Sequence, residues 1–281
     1  MSKLRFRTRL SLGIKNHPWR FLVTLFVCYS VLWGLVEPFM TFIVREPPGI
    51  AMYSLMVVIS LVGGVVVGVP PRELVLKIKN TDTQVKILFG DLFAVDGMKV
   101  IPANEFFDSE IGDPVSPKSL HGVFINKVLG GQSSAFDMLV ERSLQNTEYE
   151  MVQRNRGKER KYPIGTTVVA VCDNTTYLIP ASTKTHLETL KAKSDVAILW
   201  KALEGLWDSV RTNAGGYPVN LPLIGGGLAG IGLPTFQLLE IIIMSIVNET
   251  KKAEITKEVR IVLTEDRFED VNLAMIKKAW S

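Results

Sequence analysis

Three histidines and two cysteines in 281 residues leave little material for the commonest protein chemistries. Cys28 lies in an apolar run and Cys172 in a valine-rich stretch far from it, so there is neither a disulfide framework nor a Cys/His metal spacing. Reduced thiols fit a cytoplasmic domain. His186 reads as a surface residue. His121, in Ser119-Leu120-His121-Gly122, has no serine, cysteine or carboxylate at a diagnostic distance, although it could line a site. No nucleophile–base pair, paired-carboxylate arrangement, Walker A loop or internal repeat is present. Charge is the last scarcity. Residues 21–69 hold only Glu37, Arg45 and Glu46.

That gap divides the chain. Lys3, Arg5, Arg7, Arg9, Lys15 and Arg20 stand in the first twenty residues without a single acid. The formal charge is +4 overall, so removing the +6 of this arm leaves −2 on residues 21–281. The high pI, near 9.0, thus belongs to the arm and is poor evidence for nucleic-acid binding, and no nucleic-acid partner is expected. A basic arm beside an apolar segment reads as the cytoplasmic flank of a membrane helix.

Two spans follow, at about 21–43 and 50–69. Phe21–Val36 is uncharged, and Phe39–Val44 continues it beyond Glu37-Pro38. Ile50–Val69 is charge-free and ~30 Å long as a helix, matching a bilayer core. Arg45-Glu46-Pro47-Pro48-Gly49 supplies the turn. A secretory signal is the rival, but no small-residue cleavage site follows and a second span comes at once. With the basic arm inside, both termini are expected in the cytoplasm. Ser60, Gly64 and Gly68 recur every four residues, a small-residue face that serves either another chain or the hairpin's own packing.

The expected organisation is therefore an arm (1–20), a two-helix hairpin (21–69), a linker (70–84) and a soluble α/β domain (85–281). Strands are expected at Val85–Phe89, Lys99–Ile101, Leu221–Ile224 and Val259–Leu263. A hairpin is expected from Thr166–Cys172 and Thr176–Ile179 across Asp173-Asn174. Helices are expected at Ser134–Leu144, Val196–Val210, Thr235–Val247 and Arg267–Trp280. Gln153–Lys161, rich in basic residues, reads as a solvated loop. Such alternation implies a mixed sheet between helical layers.

Three loops could carry chemistry. Gly225-Gly226-Gly227-Leu228-Ala229-Gly230 joins a strand to a helix, where converging N–H groups and a helix N-terminus suit a phosphate or diphosphate. Tight packing is the plainer alternative. Asp91, in Phe89-Gly90-Asp91-Leu92-Phe93, could accept from an exocyclic amine or simply cap a turn. Asn104, after Ile101-Pro102-Ala103, could meet a sugar hydroxyl or belong to a turn.

A strand ending in Gly-Asp, a strand ending in Ala-Asn and a Gly-rich loop before a helix, in that order, resemble a macro domain over roughly Val85–Trp280. More closely, Phe89–Phe93, Pro102–Asp108, Ser119–Gly122, Gly165-Thr166 and Pro222–Gly225 resemble the macro domain of Thoeris antiphage effectors, and the N-terminal hairpin is similar to that family's macro–transmembrane form. The resemblance implies a helix-sandwiched mixed sheet with an ADP-ribose cleft at the strand ends. Asp91 would accept from the adenine amine beside the Leu92 backbone. Asn104 would face the distal ribose, and Gly225, Gly226, Gly227, Leu228, Ala229 and Gly230 would wrap the diphosphate.

It also implies a partner, a TIR-domain protein that turns NAD into an ADP-ribose-derived signal, which in this branch resembles an ADP-ribose conjugate of histidine. Binding by a homo-oligomer in the bilayer would then damage the membrane and cause abortive infection. Macro domains that hydrolyse ADP-ribosyl bonds carry a further asparagine and a Gly-Gly-Gly segment after Ala-Asn. Here Asp108-Ser109-Glu110-Ile111-Gly112-Asp113 follows instead, so the resemblance implies a sensor, with no catalytic residues and no cofactor; a membrane-tethered hydrolase is the alternative.

Overall fold

The computed structural model describes residue 14 and residues 18–45, 47–69, 71–228 and 230–280. Most of the basic arm, Pro70 and the Ala229 of the glycine loop lie outside the described residues. The chain forms two compact units, Met1–Arg72 and Glu73–Ser281.

The first unit is a helical hairpin. Helix α1 spans Pro18–Phe39 and passes into a π-helical turn at Met40–Val44, while α2 spans Ile50–Gly68. Pro38 lies inside α1 and has no N–H to bond the previous turn, which accounts for the loosened winding just beyond it. Segments Phe21–Val44 and Ile50–Val67 are long and apolar enough to cross a membrane. The small-residue face is used inside the hairpin. A Cβ on Gly64 would stand 3.0 Å from the Phe21 ring, and one on Gly63 3.0 Å from the Cys28 Sγ. Ser60 is buried and returns its hydroxyl to the Met56 carbonyl at 2.7 Å. Trp33 stacks on Tyr53 at 5.5 Å.

The second unit is built on a nine-stranded mixed sheet. Its strands are β1 (Glu73–Lys77), β2 (Gln84–Phe89), β3 (Met98–Val100), β4 (Ala103–Asn104), β7 (Thr167–Cys172), β8 (Thr175–Thr185), β9 (Ala192–Lys193), β10 (Val219–Pro222) and β11 (Glu258–Leu263). A separate ribbon pairs β5 (Glu150–Met151) with β6 (Arg160–Lys161). Across the sheet the order is β1-β2-β11-β10-β3-β8, with β7 on the outer side of β8 and β4 continuing along it. From β2 to β8 every pairing is parallel; β1 and β7 run antiparallel at the two edges.

Parallel central strands need both faces covered. Helices α3 (Leu120–Val128) and α4 (Ser133–Leu144) cover one face, where Phe124, Phe136 and Val140 pack with Val168, Ala170, Tyr177 and Ile179. Alternation along β8 turns Leu178 to the other side. There lie α5 (Val196–Asn213) and α6 (Thr235–Lys252), joined by a 3.1 Å hydrogen bond from the fully buried Trp207 Nε1 to Ser245 Oγ.

Several boundaries differ from the sequence expectation: the strand before the glycine loop is Val219–Pro222 rather than Leu221–Ile224, and the helix Leu120–Val128 is not among those expected. The stretch 70–84 is not a plain linker: β1 occupies it, with Leu74 and Leu76 buried and Glu73, Val75 and Lys77 outward. The closing helix is broken into a 3-10 turn, Glu265–Phe268, and α7, Leu273–Trp280. Asn272 accepts from the Ala274 and Met275 N–H groups and so caps a new helix start.

Candidate functional site

The parallel strands all point their C-terminal ends to one edge. There β2 leads into Asp91, β3 into Asn104 and β10 into the glycine loop. After β10 the chain moves to α6 on one face; after β3 it moves to α3 and α4 on the other. Neighbouring strands whose connections part to opposite faces leave a crevice between them, the usual ligand position in open α/β sheets. Topology alone brings the three sequence-marked loops to this edge.

Asp91 caps the 3-10 turn Leu92–Ala94, its Oδ1 accepting from the Phe93 N–H at 3.0 Å. The outer oxygen is held loosely by Lys127 Nζ at 3.4 Å, and the side chain is 37% exposed. Lys127 also sits 4.8 Å over the Phe93 ring. Leu92 itself is buried in the core, so only its backbone faces the site edge.

Asn104 is buried, and its amide is largely committed. Oδ1 accepts from Phe106 N at 3.2 Å and Asp108 N at 3.1 Å, while Nδ2 donates to Asp108 Oδ2 at 2.9 Å. Two N–H donors on one side and a carboxylate on the other fix which atom is nitrogen. Asn104 can therefore serve a ligand only as a donor, through its second Nδ2 hydrogen.

The glycine loop is a closed turn. Ile231 N donates to Gly225 O at 3.0 Å and Gly226 N to Leu223 O at 3.3 Å. Gly225 has φ +88°, a conformation that L side chains rarely adopt, so the turn itself calls for glycine, and a Cβ there would also press on Ile231 Cδ1 at 2.7 Å. A Cβ on Gly226 would press on Leu223 at 2.9 Å and one on Gly230 on the Gly227 carbonyl at 2.9 Å, whereas Gly227 has open space. Leu228 is 71% exposed. The loop feeds the N-terminus of the eighteen-residue α6, whose dipole favours an anion.

Sequence reasoning missed two cations. Arg267, just past β11, donates from Nη2 to Gly226 O at 2.9 Å and from Nη1 to Thr235 Oγ1 at 3.2 Å, tying the loop to α6. Arg154 corrects the expected solvated loop at Gln153–Lys161. Its side chain is fully buried, forks onto Asp108 with contacts of 3.1 Å, and lies 3.9 Å over the Phe106 ring. Only a basic residue four positions past the end of a parallel strand could have hinted at Arg267; nothing local marks Arg154.

Beside Asn104, Glu105 opens onto a cavity of about 370 Å³ walled by Tyr149, Tyr162, Lys161, Lys184 and Lys201. Burial pushes the Glu105 carboxyl above its ordinary pKa, against the opposing pull of the Thr185 N–H and of Lys161, Lys184 and Arg154. His121 lies buried against Phe136 at 4.6 Å with Nε2 unpartnered. Loss of hydration, helped by Lys158, lowers its pKa to about 3, so it is neutral at physiological pH. His186 is exposed in a surface turn, where Nδ1 accepts from Thr189 N. Among the described residues no three His, Cys, Asp or Glu side chains gather as metal ligands, and both cysteines are free.

A mixed sheet of this strand order, helices on both faces and a glycine loop at the strand ends define a macro domain. A macrodomain of Oceanobacillus iheyensis with ADP matches at a TM-score of 0.52 and 14% identity, over 74% of this chain and 96% of that one. A glycine-to-valine mutant of that macrodomain with ADPR matches at 0.50 and 13%, over 74% and 98%. No curated relative matches. The family described as Thoeris protein ThsA, Macro domain, matches residues 85–264, and the chain belongs to that family.

Proposed function

We propose that this chain is a membrane-anchored receptor for an ADP-ribose-derived signal in the antiphage defence that its family name denotes. The carrying observation is the convergence of Asp91, Asn104 and the Gly225–Gly230 loop, with Arg267 behind it, at the edge where parallel strands end. In this reading the adenine amine donates to Asp91 Oδ2, displacing Lys127. The diphosphate lies over the open Gly227 at the start of α6, and the distal ribose receives the free Asn104 N–H. ADP and ADPR in the O. iheyensis structures are ligands of the same chemical class.

The signal would come from a TIR-domain protein that consumes NAD, and its distal group would be a histidine conjugated to ADP-ribose. With the basic arm inside, both termini would be cytoplasmic, and homo-oligomers would perturb the bilayer and cause abortive infection. Sensing is favoured over hydrolysis because the carboxylate nearest Asn104, Asp108, is already spent on Arg154 and the Lys158 N–H. The test is the full chain in liposomes loaded with a fluorescent dye. ADP-ribose or its histidine conjugate should bind without being consumed, and binding should release dye. Turnover of the conjugate would favour the tethered hydrolase; no nucleotide binding would remove the proposal.

A further inference from the structure

We infer that Arg154 is a positioning residue for the ligand site, setting the direction of the Asn104 carboxamide through Asp108. The inference rests on the ADP-ribose reading of the site given above.

The geometry runs in one unbroken chain. The Asp108 carboxylate receives four donor atoms: Asn104 Nδ2 at 2.9 Å, Arg154 Nη1 and Nη2 at 3.1 Å each, and the Lys158 N–H at 2.8 Å. Its own N–H returns to Asn104 Oδ1 at 3.1 Å. The carboxylate therefore sits between the Asn104 amide on one side and the loop joining β5 to β6 on the other. Arg154 Nη1 also donates to the Lys158 carbonyl at 2.8 Å, which closes that loop around its own guanidinium. Gly157 completes the clamp: its φ is +85°, and a Cβ there would fall 2.6 Å from Asp108 Oδ1 and 3.1 Å from the guanidinium. The loop backbone can approach the ion pair this closely only with glycine at that point.

A buried ion pair is a poor way to stabilise a core, because desolvation consumes most of the Coulombic attraction. Here the side chains are 0% and 1% exposed, and Arg154 Nε has no hydrogen-bond partner. What the pair does uniquely is direction. Arginine's planar fork holds a carboxylate in one plane, which keeps Asp108 Oδ2 on one Asn104 hydrogen and leaves the other for a ligand. If Asp108 rotates, Asn104 loses its Nδ2 partner and is held through Oδ1 alone, by the Phe106 and Asp108 N–H groups, so the aim of its remaining N–H loosens.

The test compares two ligands in the full chain, purified in detergent, by calorimetry. ADP-ribose reaches Asn104 through its distal ribose, and ADP lacks that sugar. Arg154→Met should weaken ADP-ribose at least tenfold while changing ADP less than twofold. Arg154→Lys, which keeps the charge without the fork, should recover only part of the loss. Asp108→Asn, nearly isosteric, serves where Arg154→Met lowers the yield of folded protein, and should show the same selectivity between the two ligands. Equal losses for both ligands would make the pair merely structural and overturn the inference, as would unchanged ADP-ribose affinity. Failure of the unmutated chain to bind either ligand would instead overturn the ADP-ribose reading, and this inference with it.

Discussion

Arg267 Nη2 donates to the Gly226 carbonyl oxygen at 2.9 Å, so the exit of β11 holds the middle of the loop that follows β10. The same guanidinium reaches Thr235 Oγ1 at the first residue of α6. It shapes the loop and, although Asp270 Oδ2 stands 3.4 Å from its Nη1, brings guanidinium donors beside the helix end where a diphosphate would lie. Arg267→Met should weaken ADP-ribose binding by about tenfold, ~1.4 kcal/mol. The loss should shrink as salt is raised, because a partly exposed charge is screened. A salt-independent loss would mean that only loop shape, not charge, had been removed.

Gly225 and Gly227 should separate packing from binding. Gly225→Ala places a Cβ against Ile231 at an unfavourable φ and should cost about 1–3 kcal/mol of stability, seen as a lower melting temperature. Gly227 has nothing within 4 Å of its would-be Cβ. Gly227→Glu should leave the melting temperature nearly unchanged while adding a carboxylate where the diphosphate is expected, with binding lost by more than tenfold. Unaltered affinity in Gly227→Glu would mean that the loop is structural only.

Much of this was legible in the sequence wherever local pattern decides structure. The Asp173-Asn174 turn takes φ of 46° and 60° and makes the expected hairpin of β7 and β8. The three- and four-residue spacing from Val196 predicts α5, whose buried face is Leu199, Leu203, Leu206, Trp207 and Val210. The order of the site loops was legible because strand ends and glycines are local signals. Arg154 was not, since its burial depends on Asp108, 46 residues away, and Gln153–Lys161 has the composition of a solvated loop. β1 was hidden for another reason: Leu74-Val75-Leu76 is a short apolar run whose alternation shows only in its burial, and only Arg72 separates the strand from the proline pair that suggested a linker.

Glu105 predicts a pH effect on stability. Burial raises its folded-state pKa above the unfolded value. Below the unfolded pKa, ~4.3, both states are protonated and the neutral form is accommodated at no ionic cost. As pH rises through the folded pKa, this contribution is lost, because the unfolded chain ionises first. Glu105→Gln keeps the shape and stays neutral, so its advantage over the native chain should be small at pH 4 and larger at pH 8 in thermal melts. A difference that is constant with pH would mean that Glu105 ionises as easily folded as unfolded.

The hairpin offers a test of its own packing. The sequence left open whether the Ser60, Gly64 and Gly68 face meets a second chain. Gly64 instead lies against Phe21 of the same chain, with 3.0–3.4 Å from its would-be Cβ to the ring. One residue earlier, a Cβ on Gly63 would stand 3.9 Å from the Cys28 Cβ, inside the roughly 3.5–4.5 Å range that a disulfide requires. Gly63→Cys, made with Cys172→Ser to remove the other thiol, should therefore cross-link to Cys28 within one chain under mild oxidation in detergent, giving a species that still migrates as a monomer. Adding Gly64→Leu drives a branched side chain into the Phe21 ring. Overpacking of that kind costs about 1–3 kcal/mol, enough to part the helices and slow the cross-link. Cross-linked dimers in place of monomers would show that this face joins two chains, and that the two spans pack between molecules rather than within one.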